Sequence, residues 1–140
     1  MAYTISKVNV WAGSIEDRPG GVAEKLDALA KARANLEFVI ARRDTPGTGV
    51  LFLAPVKGAS QTRAAKNAGL QTAAGLHSLR LIGPDRPGLG AKITNALAEA
   101  GINMRGISAA SLNRKCIVYF AFDSADDANK ATRALKKTLR

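Results

Sequence analysis

The residues whose types and spacing carry chemistry form two identical tetrads, Asp17-Arg18-Pro19-Gly20 and Asp85-Arg86-Pro87-Gly88, set 68 positions apart in a chain of 140 residues. Each tetrad lies before an amphipathic run. Proline presets φ and suits a first helical turn, where its missing N–H costs nothing. Glycine lets another group approach the backbone closely. An aspartate two residues before the proline is placed to accept from unpaired helix amides and to complement the helix dipole. The pattern predicts a strand-to-helix turn with outward N–H donors, which can hold a carboxylate.

The rest of the chemical inventory is sparse. His77 is the only histidine and no nucleophile motif accompanies it, so it reads as an ordinary strand or loop residue. Cys116 is the only cysteine and sits in the apolar run Cys116-Ile117-Val118, so it reads as an inert core residue. Asp126-Asp127 reads as a helix start rather than a catalytic pair. There is no metal-ligand cluster and no glycine-rich phosphate loop, so neither metal nor cofactor is expected, and an enzyme is not.

The tetrads belong to a longer repeat. Aligned without gaps, residues 17–54 and 85–122 are identical at 13 of 38 positions, five of them alanine. The others include Leu29/Leu97, Asn35/Asn103, Val50/Val118 and Phe52/Phe120, so turn, helix and strand are duplicated together. The first copy reads as a strand at Ile5–Trp11, a helix at 20–33 with Val22, Leu26 and Leu29 in helical register, and a second strand from Asn35. A hairpin to Val50–Ala54 follows, then a helix at Ser60–Asn67 and a short strand at Leu70–Ala74. The second copy reads as a strand at Leu76–Ile82, a helix from Leu89, a strand at Ile102–Ala110 and a hairpin at 112–115. A strand at Cys116–Phe122 and a helix at 126–137 complete it. The order βαββαβ with short links implies an α+β fold of two ferredoxin-like units, antiparallel sheets with both helices on one face. The units are expected at 1–74 and 75–140, the second without a clear last strand. Leu76–Ile82 would then be an open edge, and Ile117, Tyr119 and Ala121 would leave a sheet face to cover. Both features predict a homodimer or larger.

Composition sets the remaining bounds. Apolar residues make up 46% of the chain, which supports a packed core. No apolar run reaches the length of a membrane span and the first residues lack a signal-peptide pattern, so a cytoplasmic protein is expected. The net charge is +10, with ten Lys/Arg and six Asp/Glu in residues 1–70 and eleven and five in residues 71–140. The densest basic run, Lys130 to Arg140, lies on the last helix opposite Asp126 and Asp127 and reads as a solvated face. Nucleic acid is not the expected partner: the aromatics Trp11 and Tyr119 read as core, and no RNA-binding strand pattern is present.

The segment Leu79 to Leu89, a helix, and then Ala100-Gly101-Ile102-Asn103-Met104 resembles the ACT domain, a small-molecule-sensing module of amino-acid metabolism. The first copy is looser, keeping Asn35 but not the glycine before it. The resemblance implies units paired side by side with an amino acid at the seam and a regulated enzyme as partner. It implies that the effector is held by the residue before Arg-Pro-Gly, the amides of that turn and the asparagine opening the second strand. Here these are Asp17, Pro19, Gly20, Gly21 and Asn35, and Asp85, Pro87, Gly88, Leu89 and Asn103. Outward amides suit an α-carboxylate, aspartate an α-ammonium, and asparagine either. Ile15 and Gly83 stand where some serine-sensing members carry histidine. The alternative from another class is a basic module that binds nucleic acid or an acidic protein. Steep salt dependence would mark that alternative.

Overall fold

The computed structural model describes residues 2–72 and 75–140. The elements run β1 (Thr4–Val8), β2 (Trp11–Glu16), α1 (Gly21–Lys31), β3 (Phe38–Arg43), β4 (Thr48–Ala54), α2 (Gly58–Asn67), β5 (Gln71–Thr72), β6 (His77–Pro84), α3 (Leu89–Glu99), β7 (Gly106–Leu112), β8 (Lys115–Phe122) and α4 (Ala125–Thr138). They form two four-stranded antiparallel sheets, ordered β3-β4-β2-β5 and β1-β6-β8-β7. Two compact units result: Asn9–Ala74, and Met1–Val8 together with Gly75–Arg140.

Strand β1 overturns two expectations. The run Ile5–Trp11 is not one strand. It divides between β1 and β2, and the five residues expected to precede Asp17 as a link are strand β2. Both copies therefore end a strand immediately before their Asp. The second unit also does not lack its fourth strand. Strand β1 takes that place, pairing antiparallel with β6 from Thr4↔Ile82 to Val8↔Ser78. Tyr3 fixes it: its hydroxyl donates to the Pro84 carbonyl at 2.8 Å, and a Cβ on Gly83 would lie 2.2 Å from its ring. Hence β6 is an interior strand, with β1 on one side and β8 on the other, and no open edge there argues for oligomerisation. The first eight residues pass from the expected first domain to the second. The final part of the strand expected at Leu70–Ala74 falls on residues 73 and 74, outside the described residues.

Each unit buries the helix-facing side of its sheet. In unit 75–140, Leu79, Leu81, Val118, Phe120 and Phe122 meet Leu89, Ile93 and Leu97 of α3 and Ala128, Ala131 and Leu135 of α4. In unit 9–74, Trp11, Ile15, Leu51 and Leu53 meet Leu29 and Ala65, with Val22 and Leu26 packed against them. The alternation of the strands and the i, i+4, i+7 spacing of the helices put these side chains on one face. Helix α4 starts as the sequence requires: the Ser124 hydroxyl accepts from the Asp127 N–H at 3.0 Å, with Asp126 and Asp127 in the first turn. Trp11 and Tyr119 are both buried, at 7% and 6% exposure, which excludes them as open stacking platforms. Cys116 is buried as expected, and that burial pushes its thiol up. His77 pairs with Phe122 at the start of β6. No helix of the described residues is long and apolar enough to cross a membrane.

Helices α1 and α3 close with the same geometry. In the second copy Gly101 is left-handed at φ 73°, with Ile102 N–H donating to Leu97 O and Gly101 N–H to Ala98 O. In the first copy Arg33 holds that position at φ 62°, with Ala34 bonded to Leu29 and Arg33 to Ala30. This is the Schellman closure, which favours glycine. The first copy places an L-residue in it.

Candidate functional site: two strand-to-helix turns

Both tetrads fold into type II turns. The Gly21 N–H donates to Arg18 O at 3.0 Å and the Leu89 N–H to Arg86 O at 3.1 Å. Proline takes the second turn position and glycine the third, with φ 87° and ψ −5° at Gly20 and φ 82° and ψ 1° at Gly88. That backbone is open to glycine and costly for other residues. Both prolines thus stand before the helix, not in its first turn. Neither aspartate is a cap: the N-caps are Gly20 and Gly88, and neither helix has a side-chain cap bond. With no carbonyl one turn earlier, the amides of Val22 and Ala23, and of Gly90 and Ala91, have no intrahelical acceptor. They provide the outward donors the sequence predicts. Each turn is also tied to its hairpin, through Asp17 N–H to Gly47 O at 3.1 Å and Asp85 N–H to Arg114 O at 2.9 Å. Asn113 and Arg114 form a two-residue connection with positive φ at both, 51° and 64°.

The side chains differ between the copies. At the first turn Arg43 donates to Asp17 at 2.5 Å, while Arg18 bridges Glu16 and Glu24. Hydrogen bonding and charge from Arg18 lower the Glu16 carboxyl, and bonding to Asp17 raises the Arg43 guanidinium. At the second turn the equivalent positions are Pro84, Lys92 and Ser111, so none of these partners exists. Among the described residues, Asp85 and Arg86 make no side-chain hydrogen bond or ion pair. The acids and the arginine that neutralise the first turn were not singled out by the sequence reading. The signal was there in Glu24, one helical turn from Gly20, and in its replacement by Lys92.

The turn positions differ too. Gly21 is enclosed, and a Cβ there would lie 2.2 Å from Glu16 O. Leu89, at the same place in the second copy, buries its side chain in the core.

The asparagines are placed elsewhere. Both are exposed and precede their strands by three residues, β3 beginning at Phe38 and β7 at Gly106. Gly106 lies opposite Ala121, which pairs with Ser78, whereas Asp85 leaves β6 at the far end beyond Pro84. Six strand residues separate those levels, about 20 Å. Strand β3 begins opposite Ala54, level with the start of β2, and Asp17 leaves the other end of β2. Each unit therefore brings together its Asp and its turn amides, but not its own Asn. A groove of 440 Å³ on the first unit, lined by Ala12, Ser14, Lys25, Phe52 and Gln71 among others, contains none of the expected site residues. No group of three or more His, Cys, Asp or Glu among the described residues is placed to hold a metal ion.

Two ferredoxin-like units, each turning its first strand into a helix through Arg-Pro-Gly, define a tandem α+β repeat. Within it residues 77–140 match the family model of the ACT domain. A comparison with curated protein sequences found no match. Among solved structures the chain is similar to a protein from Bacteroides thetaiotaomicron, with TM-score 0.81, 18% identity, and 96% of this chain and 90% of that one covered. It is also similar to the ligand-free regulatory subunit of aspartate kinase from Thermus thermophilus, with TM-score 0.70, 19% identity, and 100% and 98% covered. Aspartokinase III of E. coli, in complex with aspartate and ADP, aligns with TM-score 0.64 and 17% identity over 98% of this chain and 33% of that one. At these identities the likeness is one of fold, and it extends over both units.

Proposed function

We propose that the chain is a regulatory module that binds an amino acid and has no catalytic role of its own. The observation that carries this reading is the pair of type II turns, each presenting unsatisfied helix amides beside a carboxylate. Amides and dipole take the α-carboxylate, and Asp takes the α-ammonium. We assign the ligand to the second turn, around Asp85, Pro87, Gly88 and Leu89, because Asp17 is already engaged by Arg43. Pro19, Gly20 and Gly21 then serve as turn geometry.

Asn103 and Asn35 join the site from another unit. A unit's own Asn lies at the wrong end of its sheet, but two units joined antiparallel along their outer strands would bring the Asn of one to the turn of the other. Strands β3 and β7 are sheet edges, and they carry the exposed large apolar residues Val39, Ile107 and Leu112. Val39 and Ile107 are equivalent in the repeat. An edge of this kind is a template for pairing. The seam therefore lies between β3-type or β7-type edges, within a homodimer or larger assembly. The regulated partner is an enzyme of amino-acid metabolism, as the Thermus thermophilus structure that this chain resembles is the regulatory subunit of an aspartate kinase.

A thermal-shift screen against the common amino acids tests the reading, since a ligand bound only by the folded state raises the melting temperature by mass action. Light scattering with and without the stabilising amino acid tests the seam. A monomer mass in both conditions, with no amino acid raising the melting temperature, contradicts it.

A further inference from the structure

The topology gathers the charge of unit 75–140 at one end. Strand β6 runs from His77, opposite Phe122, to Pro84, opposite Lys115. Helix α4 starts at Ala125, just past Phe122, and packs back along β6 and β8. Its 14 residues rise about 21 Å, so its last turn returns to the Pro84 end. The start of α3, the helix that packs against α4, and the β7–β8 connection lie at the same end of the unit. The sequence places Arg86, Lys92, Arg114, Lys115, Lys136 and Lys137 at this pole, and Asp85 is the only acid among them. All six cations are exposed, and among the described residues none has an ion-pair partner. The other pole differs. There Arg105 pairs with Asp123 at 3.5 Å and Lys130 with Asp126 at 3.2 Å, while Glu99 and Asp127 add further acid.

The basic pole is more than charge at a helix end. Lysines in the last turn of α4 complement its dipole. Arg86, Lys92, Arg114 and Lys115 have no such reason to be there, since they come from a turn, a helix start and a hairpin. Lys92 in the first turn of α3 even opposes the dipole of its helix. A partner that offers closely spaced negative charge removes that cost.

We propose that this pole binds the phosphate backbone of nucleic acid without reading its sequence. Backbone recognition needs closely spaced cations, and this pole supplies them from a turn, a helix start, a hairpin and a helix end. Base readout by stacking needs exposed aromatics, and the pole has none: Tyr3, the one aromatic at this end among the described residues, is buried. An acidic protein surface would need an apolar or aromatic centre to its interface. Among the described residues, Leu112 is the only exposed large apolar side chain at this end. A phosphate backbone fits the pole better.

Fluorescence anisotropy of the full chain with a labelled mixed-sequence duplex of about 20 base pairs, at about 50 mM salt, tests this. Binding is expected near the micromolar range, equal for two unrelated sequences, and weakening with salt by roughly 0.9 log units per log unit of salt for each phosphate contacted. The variant Arg114→Gln/Lys136→Gln/Lys137→Gln is expected to bind about tenfold or more weakly, with a salt slope shallower by about three contacts. The control Lys57→Gln/Arg63→Gln/Lys66→Gln removes the same charge from exposed positions of the other unit and is expected to stay within about twofold. Melting curves confirm that both variants fold. An equal loss in the control overturns the proposal, because binding would then follow net charge rather than the pole. Absence of duplex binding also overturns it.

Discussion

The turn at Asp17 and the turn at Asp85 share a backbone to within a few degrees at their central glycines, yet their side chains keep different company. The first is closed on itself: Arg43 engages Asp17, Glu16 and Glu24 engage Arg18, and Gly21 packs under the Glu16 carbonyl. The second is open: among the described residues the side chains of Asp85 and Arg86 make no hydrogen bond or ion pair, Lys92 replaces an acid, and Leu89 anchors the turn from beneath. Duplication preserved what the backbone needs, proline and glycine at fixed turn positions, and released what the surface does not. The difference teaches that the Asp-Arg-Pro-Gly motif specifies a conformation, and that the surrounding charges decide whether the conformation is available to a ligand.

Exchanging the enclosed position breaks the comparison most severely. Gly21→Leu drives a Cβ to 2.2 Å from a backbone oxygen and should cost roughly 3–5 kcal/mol in urea unfolding, at the exceptional end for single substitutions. The converse, Leu89→Ala, removes a buried core side chain and should cost roughly 2–4 kcal/mol. Next come the ligand contacts. Asp85→Ala should weaken amino-acid binding by roughly 1–3 kcal/mol while changing stability less. Smaller still is the helix closure. Gly101→Ala should destabilise by about 1 kcal/mol, and Arg33→Gly should change stability in the opposite direction by up to about the same amount, as a left-handed L-residue is relieved.

The smallest effect is on pH dependence. The Glu16 carboxyl is lowered from 4.5 by Arg18, so its contribution is fully present above that value and is lost as pH falls through the lowered one. Because the pair is exposed, the change in melting temperature below pH 4.5 should be slight and should vanish in Glu16→Gln. The second turn, with Pro84 in that position, has no counterpart.

Much of this was legible in the sequence, for reasons that are local. Proline and glycine punctuate turns, Val22, Leu26 and Leu29 set a helical face, and Val50–Ala54 and Cys116–Phe122 announce themselves as strands by their apolar runs. The βαββαβ order followed from those signals. What was not legible was long-range. Nothing in Thr4–Val8 says that it pairs with β6 70 or more residues later rather than continuing into Trp11, because strand pairing is a tertiary choice made by Tyr3 against Gly83 and by register. The capping role of Asp was misjudged because the left-handed glycines already fill the N-cap positions. The separation of each Asn from its own Asp likewise required strand direction, which a one-dimensional motif does not carry.

The central claim is that the open second turn, and not the closed first one, holds an amino acid. Isothermal titration calorimetry of the full chain with the amino acid that most raises its melting temperature tests it most directly, comparing the unaltered chain with Asp85→Ala and Asp17→Ala. The account predicts that Asp85→Ala weakens binding by about tenfold or more, the loss expected when a charged partner is removed, while Asp17→Ala leaves it within about twofold. Equal weakening in the two variants, or a loss confined to Asp17→Ala, would contradict it.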